Sequence, residues 1–185
     1  MKIIAKIMTV ALLALLPVIA GCGGGGGGTA ATTPTGGSGG GTPPAPTAAL
    51  LRLAAPPGTL AAGTTVAGVA ATVELPPGVT VKRAADGITV DPSVVVPSGL
   101  LGGGTTVMGP VSYTAATATA KARLDFTIAS TAIAGVGEGE YATITFILNG
   151  VTPAVSDFTV SSFQLTCLPL YNMLTVTAAT TLTLL

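Results

Sequence analysis

From Ala48 onward, apolar and polar residues alternate along the chain with a period of two. This alternation is typical of β-strands that have one buried and one exposed face. It is clearest in the segments 121–128 and 142–148. The residues predicted to face the core in these two segments are Ala122, Leu124, Phe126, Ile128, Ala142, Ile144, Phe146 and Leu148.

Glycine and proline separate these segments from several other short ones. Further strands are predicted at 49–54, 69–75, 79–82, 88–90, 94–96 and 105–114, and another begins near Phe158. Gly109-Pro110 is expected to break or bulge its segment. The C-terminal segment is predicted to point Leu174, Val176, Ala178, Leu182 and Leu184 inward. With no helical stripe in any window, about nine short strands predict an all-β fold, an antiparallel β-sandwich of jelly-roll-like type.

The N-terminal segment has a different pattern. Lys2 and Lys6 form a short positive start, the run 7–19 is almost wholly apolar, and Ile19-Ala20-Gly21-Cys22 follows. The run is shorter than the ~20 residues that cross a membrane, but it suits a secretory signal. A branched apolar residue, two small residues and a cysteine resemble the lipobox of bacterial lipoproteins.

The lipobox resemblance implies a chemical fate for Cys22. Its thiol would receive a diacylglycerol, the chain would be cut between Gly21 and Cys22, and the new amine would usually be acylated. Several acyl chains on one residue would anchor the protein stably in a membrane. Gly23, rather than Asp, after the cysteine implies the outer membrane in a two-membrane bacterium. The alternative is ordinary secretion, with Cys22 left as a free thiol.

Residues 22–47 predict a tether. Six consecutive glycines, 23–28, are followed by a stretch of Thr, Ala, Gly, Ser and Pro. Such a composition cannot bury enough apolar surface to offset the entropy of ordering it. We therefore predict a signal peptide at 1–21, a disordered, flexible linker at 22–47 and one β-sandwich domain at 48–185.

A second resemblance covers roughly residues 48–185. It rests on three segments: Gly63-Thr64-Thr65-Val66 leading to Ala71-Thr72-Val73-Glu74-Leu75, then Val90-Asp91-Pro92-Ser93-Val94, and later Glu138-Gly139-Glu140-Tyr141-Ala142-Thr143-Ile144-Thr145-Phe146. The order of these features is similar to cohesin-like domains, which share a jelly-roll fold with some carbohydrate-binding modules. The resemblance implies docking of partner modules or assembly on polysaccharide. It transfers no partner-binding residue.

Composition and charge narrow the function further. Seven basic and seven acidic residues become five and seven once Lys2 and Lys6 leave with the signal, a net charge of about −2 that gives no footprint for nucleic acid. The chain has no histidine, which removes the usual general base and the commonest metal ligand. We therefore predict that the protein is not an enzyme and needs no cofactor.

The remaining candidate groups each have a simpler interpretation. Glu138 and Glu140 could form an acid/base pair, but a solvated turn is the more economical interpretation. Asp86, Asp91 and Asp157 lack the dense spacing of a calcium loop. Cys167 has no partner in the chain if Cys22 is lipidated. It is interpreted as a buried small hydrophobe, with an intermolecular disulfide or a redox-reactive site as the alternative.

Sugar-binding surfaces usually need aromatic platforms. The chain has no tryptophan, so the candidate ligand-contacting aromatics are Tyr113, Tyr141 and Tyr171. The alternation of its strand places Tyr141 on the outward face. The default interpretation of all three is as tyrosines at the edge of the core.

Together these patterns predict a lipid-anchored protein of the bacterial cell envelope. Its β-sandwich would serve as a non-catalytic protein-interaction or structural module, with a membrane and an envelope or extracellular protein as partners. The alternative is a carbohydrate-binding module for polysaccharide at the cell surface.

Replacing Cys22 by serine tests the anchor. Because serine lacks the thiol that accepts diacylglycerol, we expect the C22S variant to leave the membrane fraction or to stay unprocessed. Membrane fractionation and gel mobility measure this. A serine variant that fractionates and migrates like the parent would show that Cys22 is not lipidated.

Overall fold

A computed structural model describes residues 44–103, 106–132 and 134–185. The predicted signal peptide, Cys22 and most of the predicted tether lie outside these residues. The described part contains ten strands and two short 3-10 helices, Gly99–Leu101 and Val155–Asp157. The strands are β1 (Ala48–Ala54), β2 (Thr65–Leu75), β3 (Val79–Thr80), β4 (Val95–Pro97), β5 (Thr106–Thr114), β6 (Ala122–Ser130), β7 (Glu140–Leu148), β8 (Thr159–Leu168), β9 (Asn172–Thr175) and β10 (Ala179–Leu184).

The strands form two five-stranded antiparallel sheets. The first has the order β10-β1-β7-β3, and β4 also pairs with β7. The second has the order β5-β6-β2-β8-β9. The predicted all-β, antiparallel sandwich is therefore confirmed, with ten strands in place of about nine.

The core lies between the inner faces of the two sheets. The eight residues predicted to face inward in β6 and β7 are all buried. Phe146 of β7 stacks on Phe158 with ring centroids 5.1 Å apart. The predicted bulge at Gly109-Pro110 is also confirmed, because the pairing of β5 with β6 shifts register between Met108 and Val111.

The predicted outward orientation of Tyr141 is wrong. Its side chain has 0% exposure. The cause is a β-bulge, because Ala54 of β1 pairs with Glu140 while the adjacent Leu53 pairs with Ala142. The extra residue, Tyr141, breaks the alternation, so that Tyr141 and Ala142 both point into the core.

The predicted C-terminal alternation is only partly correct. The segment forms two strands in different sheets, since β9 pairs with β8 and β10 pairs with β1. Val176, Ala178 and Leu182 pack partly against the core. Leu174 and Leu184 remain 38% and 39% exposed because their strands lie at the edges of the sheets.

The predicted strand at 88–90 is absent from the described structure. Residues 84–89 form a turn, and the side chain of Ile88 is 77% exposed. The carboxylate of Asp86 accepts hydrogen bonds from the main-chain N–H groups of Ile88 and Thr89 at 2.8 and 2.9 Å. These bonds satisfy the backbone locally, in competition with a strand ladder.

The start of the described chain and the β8–β9 turn lie at opposite ends of the sandwich. At the first end, which we call the Thr47 end, Thr47 N–H donates to Leu185 O at 3.0 Å and Leu148 N–H donates to Thr47 O at 2.9 Å. At the other, the hairpin end, Ala55 N–H donates to Gly139 O at 2.9 Å. Thr65 and Leu168 pair there, immediately before the turn that joins β8 to β9. The described chain therefore begins at the end opposite the β8–β9 turn.

Phe146→Ala should destabilise the domain strongly. The side chain has 0% exposure, so its removal leaves a cavity and should lower the free energy of unfolding by about 3–5 kcal/mol. The control is Ile147→Ala, because the neighbouring Ile147 lies on the opposite face and is 39% exposed. Denaturant unfolding measures both variants, and equal losses would contradict the assigned faces of β7.

Candidate functional site

The three candidate tyrosines lie in three different environments. Tyr141 is buried, its hydroxyl donates to Gly137 O at 2.6 Å, and burial raises its pKa to about 12. Tyr113 is half-buried and carries the guanidinium carbon of Arg83 4.7 Å above its ring centroid. Tyr171 is 69% exposed. The structure therefore does not bring the three together as a platform, and of them it leaves only Tyr171 largely open to solvent.

The turn between β8 and β9, together with the start of β9, holds three largely exposed apolar residues. Leu170, Tyr171 and Met173 are 75%, 69% and 65% exposed, and we call these three side chains the hairpin surface. Tyr171 has φ of 54°, in the left-handed region that non-glycine residues seldom occupy. This conformation projects the ring from the turn instead of continuing the strand.

A groove of about 600 Å³ on the second sheet adjoins the hairpin surface. Its floor lies on the outer face, because Ala70 is partly exposed between the buried Val69 and Ala71 of β2. We call it the β2 groove; its lining includes Gly68, Ala70, Thr127, Ala129, Thr166, Tyr171 and Met173. Small side chains therefore form much of this floor, and Gly68 is itself buried between the neighbouring strands.

A shallower depression of about 330 Å³ continues from the β2 groove along the same face, sharing Ala70 and Thr127 with it. Ser162, Gln164 and Asp125 line it. Asp125 already accepts a hydrogen bond from the Thr72 hydroxyl at 2.7 Å and pairs with Arg123 at 2.6 Å. The face therefore passes from apolar at the hairpin end to polar farther along.

Glu138 and Glu140 do not form an acid/base pair. The Glu138 carboxylate accepts hydrogen bonds from the main-chain N–H groups of Leu60 and, at 2.7 Å, Gly58. The Glu140 carboxylate instead accepts from the Ser98 hydroxyl at 2.6 Å and pairs with Arg52 at 3.1 Å. Both carboxylates lie at the surface, where they also tie loops together at the hairpin end.

These contacts stabilise the charged form of both carboxylates. The Leu60 and Gly58 N–H groups lower the pKa of Glu138, and the Ser98 hydroxyl and Arg52 lower the pKa of Glu140. A general acid at neutral pH needs a raised pKa instead. Neither residue is therefore suited to donate a proton to a substrate.

The three aspartates considered for calcium are separate, and each is engaged in its own turn. Asp91 accepts from the Ser93 hydroxyl at 2.6 Å and pairs with Lys82 at 2.9 Å, which lowers its pKa to about 2. Asp157 accepts from Ala154 N–H at 2.7 Å. Among the described residues, no group of three acidic or cysteine side chains is placed to hold a metal ion.

Cys167 is 7% exposed, and burial raises the pKa of its thiol. Its Sγ lies 3.8 Å from Leu165 O. A buried thiol with a raised pKa is a poor nucleophile, which agrees with its interpretation as a small hydrophobic residue.

Sequence reasoning named Tyr171 but missed Leu170 and Met173. Period-two alternation assigns every apolar residue of a strand to one face, and Leu168-Pro169-Leu170-Tyr171 has no alternation. Three large apolar residues within four positions beside a proline were the available signal for an exposed turn.

Comparison of the chain with protein-family models, with curated proteins and with solved structures gives no match. The cohesin-like and lipoprotein resemblances thus stay predictions from strand and signal patterns. Within the three described ranges, no helix has the length and apolar character needed to cross a membrane.

Acid should reveal the contribution of Glu138 to the hairpin end. Its pKa is lowered from 4.5 in the folded state, so its stabilising effect is present above pH 4.5 and is lost as the pH falls further. The free energy of unfolding of the wild type should therefore fall more steeply than that of Glu138→Gln from about pH 5 to about pH 3. Urea unfolding at several pH values measures both slopes.

The matched control is Glu74→Gln, which also removes one negative charge. The Glu74 carboxylate lies 3.9 Å from Lys121 Nζ and does not tie the hairpin end together. Identical slopes for the wild type and Glu138→Gln would contradict the proposed contribution of the Glu138 contacts.

Proposed function

We propose that this protein is a lipid-anchored module of the bacterial cell envelope that binds a protein partner without catalysis. The observation that carries the proposal is the hairpin surface, three large exposed apolar side chains of one hairpin, of which Tyr171 and Met173 line the groove. Aromatic residues and methionine are enriched at the centres of protein interfaces. Such side chains in water are costly unless a partner covers them.

The β2 groove supports a polypeptide partner. Alanine and threonine form much of its lining, so that short side chains let a main chain approach while threonine hydroxyls offer hydrogen bonds. The hairpin surface at one side supplies apolar anchors, as interface hot spots do. One extended segment could therefore place an apolar residue against Tyr171 and Met173 and lie along the groove.

The position of the hairpin surface suits the proposed anchor. The described chain begins at the Thr47 end, and the hairpin surface lies at the opposite end of the strands. The chain that leads from Cys22 would thus enter the sandwich at the end farther from the binding surface. The proposed localisation is the envelope, with the outer membrane favoured by Gly23.

The contacts of the carboxylates support a non-catalytic role. Glu138 and Glu140 stabilise loops and have lowered pKa values. The sequence contains no histidine to serve as a base. The one reaction proposed for this protein is therefore the lipidation of its own Cys22, and the protein itself catalyses none.

A carbohydrate-binding role is the second candidate. Its support is Tyr171, an exposed aromatic ring beside a groove that has polar groups farther along. Stacking on a sugar usually uses aromatic faces, and Tyr141 is buried. The protein partner is favoured because Leu170 and Met173 extend the surface with aliphatic side chains that a sugar does not need.

A photo-crosslinking residue at position 170 tests the protein partner in intact cells. The hairpin surface should capture one defined protein, whereas the same residue at Ile88, 77% exposed and in the 84–89 turn, should not. With that partner purified, Tyr171→Asn plus Met173→Ser should weaken binding at least about 30-fold, as expected for hot-spot residues. Asparagine is chosen because it tolerates the left-handed backbone at 171.

Ile88→Ser is the matched control, since it removes an exposed apolar side chain elsewhere, and it should leave the affinity unchanged. Equal capture from positions 170 and 88, or undiminished binding by the double variant, would contradict the proposed surface. Saturable binding on a glycan array that Tyr171→Asn abolishes would favour the carbohydrate role instead.

A further inference from the structure

Strand β10 is the least protected edge of the sandwich. The second sheet ends in β5, which Gly109-Pro110 interrupts, and in the four-residue β9. The first sheet ends on one side in β3 and β4, which have two and three residues, and on the other in β10, which has six. Natural proteins protect edge strands with short length, charge, proline or bulges. The segment Ala179–Leu184 contains no charged residue and no proline, and its pairing with β1 shows no bulge.

The hydrogen-bonding groups on the outer side of β10 follow from its register. Ala48 and Leu185 exchange main-chain hydrogen bonds at 2.8 and 3.3 Å, so Thr183 and Thr181 also direct theirs toward β1. Thr180, Leu182 and Leu184 therefore direct their N–H and C=O groups away from the sheet. No described residue hydrogen-bonds to these groups.

The outer side of β10 is partly open. The 3-10 helix Val155–Asp157 lies near the strand, and of the residues with outward-directed groups Leu184 is exposed while Thr180 and Leu182 are partly buried. Leu184 opposes the buried Ala49, and its side chain nevertheless remains 39% exposed. A strand added beside β10 would cover this apolar surface as well as pair the free groups.

We propose that β10 pairs with β10 of a second copy of this chain, antiparallel and with the two Leu182 residues opposite each other. In this register Thr180 of each copy faces Leu184 of the other, and Thr181 faces Thr183. All free N–H and C=O groups then bond in reciprocal pairs. Threonine opposite threonine is a favourable cross-strand pair.

The sequence of β10 favours a second copy over an unrelated strand. A two-fold axis through Leu182 places Thr181 of each copy opposite Thr183 of the other, and an identical strand has free groups at the matching positions. With no charge in the strand, self-pairing places no like charges opposite each other. The proposal does not depend on the lipid anchor or on the hairpin surface.

Sedimentation velocity of the mature chain carrying Cys22→Ser tests the proposal, with a reducing agent present to exclude a disulfide through Cys167. The wild-type β10 should show a concentration-dependent equilibrium between monomer and dimer. T181K/T183K and T181E/T183E each place like charges opposite each other twice, so each should raise the dissociation constant about tenfold or more. Both positions are exposed, so the fold should tolerate either change.

An equimolar mixture of the lysine and glutamate variants should restore the dimer, because opposite charges then face each other across the two-fold axis. The matched control is Thr159→Lys plus Ser161→Lys, which adds the same charge at exposed positions of the interior strand β8 and should dimerise like the wild type. A wild-type chain that stays monomeric throughout would overturn the proposal. So would charged β10 variants that dimerise normally, or a mixture that associates no better than its components.

Discussion

The first sheet depends on β7, which pairs with β1 along one side and with both β3 and β4 along the other. The inward side chains of β7 also form the centre of the core: Ile144 and Phe146 have 0% exposure, and Phe146 stacks on Phe158. Because β7 pairs with three strands of its sheet and also packs into the core between the sheets, its register determines how those strands align and which side chains enter the core. A slip of one residue would move every side chain of β7 to the opposite face.

The bulge at Tyr141 shows how such a strand can change face without a slip. It turns Tyr141 into the core at the hairpin end, where the hydroxyl finds Gly137 O. Glu140, just before the bulge, is left on the surface, and it bonds with Ser98 and Arg52. Glu138 bonds with Leu60 and Gly58 nearby. Contacts of these two carboxylates thus hold loops together at the hairpin end of the sandwich.

Alternation alone could predict the strands whose pairing is regular. In β6 the four residues predicted to face inward are buried, and the residues between them are exposed or partly exposed. The bulge could not be predicted, because an extra residue is specified by the partner strand and not by the residues of β7. Nor could alternation separate β9 from β10, since the residues predicted to face inward, from Leu174 to Leu184, keep to even-numbered positions across the point where the chain crosses between sheets. Leu170 and Met173 of the hairpin surface were missed for a related reason: they lie in and directly after a turn, where the period-two alternation is interrupted.

The direction of β1 has a mechanical consequence. Its first residues lie at the Thr47 end, and it is hydrogen-bonded on both sides, to β10 and to β7. The hydrogen bonds of antiparallel strands run perpendicular to the strand axis. A pull from the residues before Thr47 against a load held at the hairpin end would therefore shear both ladders at once instead of opening them one bond at a time. A sandwich built in this way resists tension along its strands far better than tension across them.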